Sequence, residues 1–273
     1  MVNPAEYTYF NEVQKRSVSI AIKEFTKYLK NMSGICMDIG CGPGDITNNL
    51  LLPSLDSNAV IIGTDINVNM IKYATETYYN TRLKFEVLDI QTKNLPEKFI
   101  FKFNHIFSFH TLHWCNDIRK AFENIYRMLQ SGGTIFIFFP ASHNTIFEVF
   151  KNIAQDSRFA SYLQNPNKLP FYNSVASDEE LKDLLESVGF NIQHCSIQET
   201  DCSEINEDSF LSSIMSISNF LDMMSPKEKE EFIVEFRHEY KNCKLYGNNK
   251  HDDKKASILD THKFLVAYAQ KGE

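Results

Sequence analysis

Three carboxylates stand at the ends of three apolar runs. Cys36-Met37-Asp38-Ile39 opens into Gly40-Cys41-Gly42-Pro43-Gly44, Val60-Ile61-Ile62-Gly63-Thr64 ends at Asp65, and Leu83 to Leu88 ends at Asp89. A strand that breaks into a glycine loop, followed by a strand tipped with an acid, is a nucleotide-binding layout. A dinucleotide fingerprint wants G-x-G-x-x-G, but here Asp45 stands where the last glycine would fall. Pro43 also removes a backbone donor that a pyrophosphate could use. The loop therefore suits a zwitterion carrying an adenosine better than a diphosphate. Asp45 itself reads as a cap or first-turn acid of the helix that follows.

A second cluster follows a fourth apolar run: Ser108-Phe109-His110-Thr111-Leu112-His113-Trp114. It holds the one tryptophan of the chain beside two histidines. The histidines could be general bases or hydrogen-bonded loop anchors. His113 reads as an anchor, and His110 stays open between the two roles.

The elements that must position these residues are legible from period and punctuation. Val13, Val18, Ile22, Phe25 and Leu29 among Lys, Glu and Gln predict a helix over 12–30. Strands are expected at 35–39, 59–65, 83–88, 104–109, 134–139, 190–197 and 261–269. Helices are expected from about Asp45, over 67–79, around Ala121–Leu129 with Gly132-Gly133 as its stop, and over 145–164 and 179–188. The apolar run Thr134–Phe139 suggests the centre of a parallel sheet. The fold class is thus α/β, a doubly wound, mostly parallel seven-stranded sheet in one domain spanning 1–273. Residues 1–32 form a helical segment over the site. Insertions at 141–175 and 200–256 read as helical caps, with polar sequence at 246–255.

Composition sets limits. A net charge of −7 argues against binding nucleic acid through phosphate neutralisation. No apolar run approaches the roughly 18 residues of a membrane span, and the start lacks a basic flank and apolar signal region. The chain reads as cytoplasmic, a monomer or homodimer. Its six cysteines form no Cys-x-x-Cys pair and no zinc pattern, so they read as reduced thiols, and no metal set is visible. The 22 Phe and 12 Tyr supply a large core and, on the caps, an apolar pocket. Phe139, Phe147, Phe150, Tyr162, Phe171, Phe220 and Met223 are candidates to line it, though each one singly fits the core better.

The glycine loop, with Asp65 and Asp89 at the next two strand ends, resembles motif I and its companions in the class I S-adenosylmethionine-dependent methyltransferases. The resemblance implies S-adenosyl-L-methionine as cofactor. Asp38 would lie near its ammonium, over the loop Gly40, Cys41, Gly42 and Gly44. Asp65, with Ile66 and Met70 beside it, would bind the ribose hydroxyls. Asp89 would accept from the adenine amino group between Leu88 and Ile90, and Ser108 would face the sulfonium. A carboxylate suits each of these roles, because ammonium, hydroxyl and amino groups are all donors.

Gln14-Lys15-Arg16, Phe107-Ser-Phe-His-Thr-Leu-His-Trp114 and Ala121-Phe-x-Asn-Ile-Tyr126 extend the likeness. Together with the loop they resemble the insect juvenile hormone acid O-methyltransferases, over roughly residues 7–200. That resemblance implies a carboxyl O-methyltransferase for a sesquiterpenoid acid, farnesoic acid or juvenile hormone acid. It implies that Gln14 and Trp114 hold the substrate carboxylate. Their N–H groups are neutral donors, which orient a carboxylate without the tight grip of a cation. His110 departs from the family, which commonly has Tyr there, and could also donate to the carboxylate. Other readings are a methyltransferase for another fatty or small carboxylic acid, or a catalytically idle binder of cofactor or hormone. A nicotinamide oxidoreductase is more distant, because the glycine spacing is wrong for it.

Overall fold

A computed structural model describes residues 3–141, 145–163, 177–201, 207–248 and 261–272. Seven strands form one sheet in the order β3-β2-β1-β4-β5-β7-β6. They are β1 Ile35–Ile39, β2 Val60–Asp65, β3 Leu83–Val87, β4 Phe103–Phe109, β5 Leu129–Pro140, β6 Phe190–Asp201 and β7 Thr261–Lys271. β1 pairs in parallel with β2 and β4, β2 with β3, and β4 with β5. β7 runs antiparallel between β5 and β6. This is the expected mostly parallel, Rossmann-like sheet. The strand order reverses between β1 and β4, and in such sheets the crevice at that reversal is where ligands bind.

Both faces of the sheet are covered, so alternate residues of the central strands feed two cores. Along β5, Ile135, Ile137 and Phe139 join one cluster with Ala121, Phe122 and Ile125. Phe136 and Phe138 join another with Val18, Ala21, Ile22 and Phe25. The first is the face of α6 (Ile118–Met128) and α8 (Ser177–Val188). The second is the face of α2 (Glu12–Glu24) and α3 (Thr26–Leu29), preceded by α1 (Pro4–Phe10). The helix expected over 12–30 is therefore two pieces, broken at Phe25, whose ring packs at 4.7 Å on Phe136.

After the glycine loop, a π-helical turn at Thr47–Leu51 runs into α4 (Leu52–Ser54), and α5 (Val68–Thr77) follows β2. Asn67 caps α5 by accepting from the N–H groups of Asn69 and Met70. Gly132 and Gly133 do not stop α6, as the pattern had suggested. α6 ends at Met128, and the glycines lie inside β5, opposite a register shift between Phe103 and His105. A Cβ on Gly133 would stand 3.0 Å from the Asn104 carbonyl, so the glycine there admits the irregular pairing. The end of α6 is closed by a lysine instead. Lys271, almost fully buried in β7, donates from Nζ to the carbonyls of Tyr126 at 2.8 Å and Leu129 at 2.9 Å.

A third apolar cluster belongs to the caps. α7 (Thr145–Ile153), α9 (Glu207–Ile217), a 3₁₀ turn at Asn219–Met223 and α10 (Pro226–Asn248) contribute to it. Val149, Phe159, Leu211, Phe232, Phe236 and Tyr240 are among its buried members, and Val13 of α2 joins them. The polar stretch expected at 246–255 mostly lies outside the described residues, and α10 reaches Asn248.

Candidate active site

The glycine loop leaves the end of β1 at the sheet's reversal point. Gly40 has φ +71°, and a Cβ there would fall 2.0 Å from Thr111 Oγ1. Thr111 holds the loop from the far side, donating to the Gly40 carbonyl at 3.1 Å. Gly42, at φ +54°, is different: its missing Cβ would meet only Tyr7 Cε1, 3.9 Å away. The backbone at Gly42 is therefore open to close approach by a ligand.

The loop's N–H groups are spent within the protein. Gly40 and Cys41 donate to the Thr64 carbonyl, and Gly44 donates to the Cys41 carbonyl. Gly42 donates to Asp65 Oδ2 at 3.0 Å, and Pro43 has no N–H. A diphosphate would find no ready amide cradle here. A ligand in this crevice meets carboxylates instead.

Asp38 is buried, and its Oδ2 accepts from Thr47 Oγ1 at 2.6 Å. Its Oδ1 is buried without a hydrogen-bond partner. A lone buried acceptor is costly, and a donor from a bound cation would satisfy it. Burial pushes the Asp38 carboxyl up to about 7, with Thr47 opposing and Asp65 adding to the rise. Asp65 is likewise raised, first by burial, although the N–H groups of Asn67 and Gly42 favour its charged form. Each Asp65 oxygen accepts one such bond, leaving lone pairs for hydroxyl donors. Asp89 accepts from the Gln91 N–H at 2.8 Å, in the loop after β3.

These three carboxylates stand at neighbouring strand ends, and the other predicted cofactor residues divide around them. Cys41 is buried in the loop, its thiol directed to the Gly42 carbonyl at 3.7 Å. Ile66 is well exposed beside Asp65, and Met70 is buried in α5. Leu88 and Ile90 are almost fully buried in the core under α6. Ser108 is buried and donates to the Ile39 carbonyl at 3.0 Å, so its hydroxyl ties β4 to β1.

On the acceptor side, Gln14 is buried in α2. Trp114 closes a 3₁₀ turn, Leu112–Trp114, with its ring 43% exposed and 4.7 Å from that of His113. His113 is buried, and burial first, then His110, holds it well below the ordinary imidazole value, so it is neutral near pH 7. His110 has a left-handed backbone, φ +52°. Its Nε2 lies 2.9 Å from Ser17 Oγ, and its ring packs edge-on to Phe138 and Phe264.

The apolar candidates do not gather in one layer. Phe139 belongs to the sheet core under α6, while Phe150, Tyr162 and Phe220 pack against the cap cluster. Met223 is 60% exposed, and Phe171 lies outside the described residues, as does the side chain of Phe147. A cavity of about 180 Å³ lies between α1, α9 and α10, floored by Leu211, Leu221 and Phe236 and rimmed by Glu6, Lys229 and Arg237. None of the predicted site residues lines it.

Sequence reasoning passed over several residues of the site. Asp45 is more than a first-turn acid: it is buried, and its Oδ2 accepts from Asn11 Nδ2 and from Lys15 Nζ, both at 3.0 Å. Thr47, Tyr7 and Ser17 have no role in the sequence reading, and Thr111 stands there only as a member of the Ser108–Trp114 segment. Asn11 and Ser17 do flank Gln14 at helical spacing, a signal that was available. Nothing local to Thr111 or Tyr7 marks them. Asn124, a member of the Ala121–Tyr126 motif, is fully buried in α6 and donates to the carbonyls of Ile90 at 2.7 Å and Thr92 at 2.8 Å.

Residues 37–137 match the methyltransferase domain family. The chain is 29% identical to juvenile hormone acid O-methyltransferase of Drosophila melanogaster, over 97% of this chain and 91% of that one. It is 28% identical to the Bombyx mori enzyme of the same name, over 99% and 98%. Among solved structures, phosphoethanolamine N-methyltransferase 2 of Haemonchus contortus in complex with S-adenosyl-L-methionine aligns at a TM-score of 0.55 and 18% identity, covering 94% of this chain and 53% of that one. No described helix is long and apolar enough to cross a membrane. A glycine loop without spare amides, a buried carboxylate with one open oxygen, the matched domain and relatives spanning nearly the whole length converge: residues 37–137 form a methyltransferase domain, the chain is an S-adenosylmethionine-dependent methyltransferase, and it is similar over nearly its whole length to two juvenile hormone acid O-methyltransferases.

Proposed function

We propose that this enzyme methylates the carboxylate of a sesquiterpenoid acid, farnesoic acid or juvenile hormone acid. The observation that carries the reading is the reach of the two named relatives. Their similarity runs beyond residues 37–137 into the N-terminal helices and the caps, where an acceptor would be selected. Bound S-adenosylmethionine supplies an electrophilic methyl group on a sulfonium. Asp38 would take its ammonium, Asp65 its ribose hydroxyls and Asp89 its adenine amino group, with Ile66 and Met70 near the ribose and Leu88 and Ile90 flanking the adenine.

A carboxylic acid with an ordinary value near 4.3 is already ionised at neutral pH, so no general base is required. Gln14 and Trp114 would orient it through neutral N–H donors. A neutral His113 and a His110 engaged by Ser17 fit structural duties better than proton transfer. Rate enhancement would come from alignment in a dry site, worth up to roughly 7–11 kcal/mol. The described parts of the N-terminal segment and the two insertions, residues 3–32, 145–163 and 207–248, would close that site, the rest of 141–175 and 200–256 lying largely outside the described residues, and the cap cluster offers apolar surface for a long acceptor.

The test is incubation with methyl-labelled S-adenosylmethionine and a panel of carboxylic acids. Labelled methyl farnesoate or juvenile hormone is the expected product, and Gln14→Ala and Trp114→Ala are expected to lower acceptor turnover while cofactor affinity holds. Turnover confined to short or straight-chain acids would overturn the substrate. Full turnover by Trp114→Ala would remove it from the carboxylate site.

A further inference from the structure

The turn of α2 that carries Gln14 is tied on both sides. Toward the glycine loop, Asn11 and Lys15 both reach the same oxygen, Oδ2, of the buried Asp45, the residue directly after Gly44. Lys15 Nζ also donates to the Thr8 carbonyl at 2.7 Å, which joins α1 to the same knot. Toward the end of β4, Ser17 Oγ donates to the Gln14 backbone carbonyl at 3.1 Å and lies 2.9 Å from His110 Nε2. With the Ser17 hydroxyl donating to the Gln14 backbone carbonyl, the tautomer of His110 protonated at Nε2 completes the link by donating to Ser17.

His110 is itself fixed. Its N–H donates to the Phe138 carbonyl at 2.8 Å, and its ring is wedged edge-on between Phe138 and Phe264. A non-glycine residue at φ +52° keeps that conformation only where surrounding contacts impose it. Asn11 and Ser17 stand three residues before and after Gln14, one helical turn in each direction, so the two ties bracket it.

We infer that Lys15, Asp45, Ser17 and His110 are positioning residues that set Gln14 against the cofactor loop on one side and the acceptor loop on the other. The inference rests on the reading of Gln14 as a carboxylate donor. It gives Lys15, the middle residue of the Gln-Lys-Arg segment, a specific role, since its ammonium links the acceptor arm to the residue that ends the glycine loop. It also gives His110 a role that needs no proton transfer to substrate. A shift of the loop reaches Gln14 through the contacts of Asp45 with Asn11 and Lys15 and the α2 backbone that joins them to Gln14.

The test is a set of double-mutant cycles on the full-length enzyme, with the acid found by the panel. Lys15→Met, Ser17→Ala and His110→Phe are made alone and with Gln14→Ala. Each alone is expected to lower kcat/KM for the acid by about tenfold, with the cofactor dissociation constant unchanged. In the Gln14→Ala background each is expected to cost nothing further, because its effect passes through Gln14. Lys15→Arg is expected to keep most of the activity. Equal losses in both backgrounds would overturn the clamp while leaving Gln14 in place. An undiminished Gln14→Ala enzyme would instead overturn the reading of Gln14 itself, and the clamp's purpose with it. Losses that vanish on cooling in step with a lowered Tm would reduce the ties to structural support and also sink the proposal.

Discussion

Asp38 is the residue on which the cofactor side turns. Alone with Thr47 it is an uncomfortable carboxylate: fully enclosed, with one oxygen unpaired and its titration lifted to about 7 from an ordinary 3.8. An unfolded chain releases this proton near pH 4, so between about pH 4 and 7 the folded protein without cofactor binds the extra proton. Stability therefore falls as pH rises through that window. Cofactor affinity should move the other way, because an ammonium prefers the ionised form. Calorimetric titration at about pH 6 and about pH 8 should show tighter binding at the higher pH. Asp38→Asn should bind weakly and lose that pH dependence, while its cofactor-free Tm above neutrality equals or exceeds that of the parent. A pH dependence surviving in Asp38→Asn would place the titrating group elsewhere. The sequence exposed this residue because an acid between an apolar strand and a glycine loop is a local pattern. It hid Thr47, nine positions later, because only the turn of the π-helical segment brings that hydroxyl to 2.6 Å.

At the scale of elements, the strands were the most legible part. Each central strand is an apolar run bounded by punctuation, and parallel strands buried on both faces read that way. The element ends were less so. Gly132-Gly133 after an amphipathic helix is an ordinary stop signal, yet the glycines serve a long-range pairing irregularity against β4 that no local pattern reveals. The break at Phe25 likewise comes from a tertiary contact with Phe136. Asn124 shows how an element can serve a site it never touches. From the buried face of α6 it gives both amide hydrogens to carbonyls on either side of Gln91, just after Asp89. Gln91 in turn accepts from the Asp117 N–H at the start of α6, which ties the loop a second time. Asn124→Ala should leave the Ile90 and Thr92 carbonyls unpaired, at a cost of about 1–3 kcal/mol in denaturant melts. If Asp89 receives the adenine amino group, the same change should weaken cofactor binding without altering KM for the acid. A loss of stability with cofactor affinity intact would mean that the loop does not carry the adenine contact.

Across the whole molecule, the cofactor crevice and the caps are joined through the N-terminal helices. α2 contributes Val18, Ala21 and Ile22 to the sheet core and Val13 to the cap cluster, so one short helix belongs to two layers. α1 sets Tyr7 over the open backbone of Gly42. Burial, then the charges of Asp45 and Asp65, hold that phenol well above its ordinary value, so it stays neutral between two acids. A ligand that fills this crevice therefore touches an element on which the caps also depend. Cofactor at a hundred times its dissociation constant should stabilise the fold by about 2.7 kcal/mol. The distribution of that gain is the sharper prediction. Hydrogen exchange should slow on cofactor addition in α1 and α2 as well as in the glycine loop, and next in α9, which α1 packs against. Amides of β5 and β7, deep in the sheet, exchange through global unfolding and should slow by that same overall gain, so the discriminating protection is that of the N-terminal helices. Local protection confined to the loops around Asp38, Asp65 and Asp89 would mean that the crevice fills without engaging the N-terminal helices. The acceptor arm would then be set independently of the cofactor, and the order in which the two substrates bind would carry no structural constraint from α2.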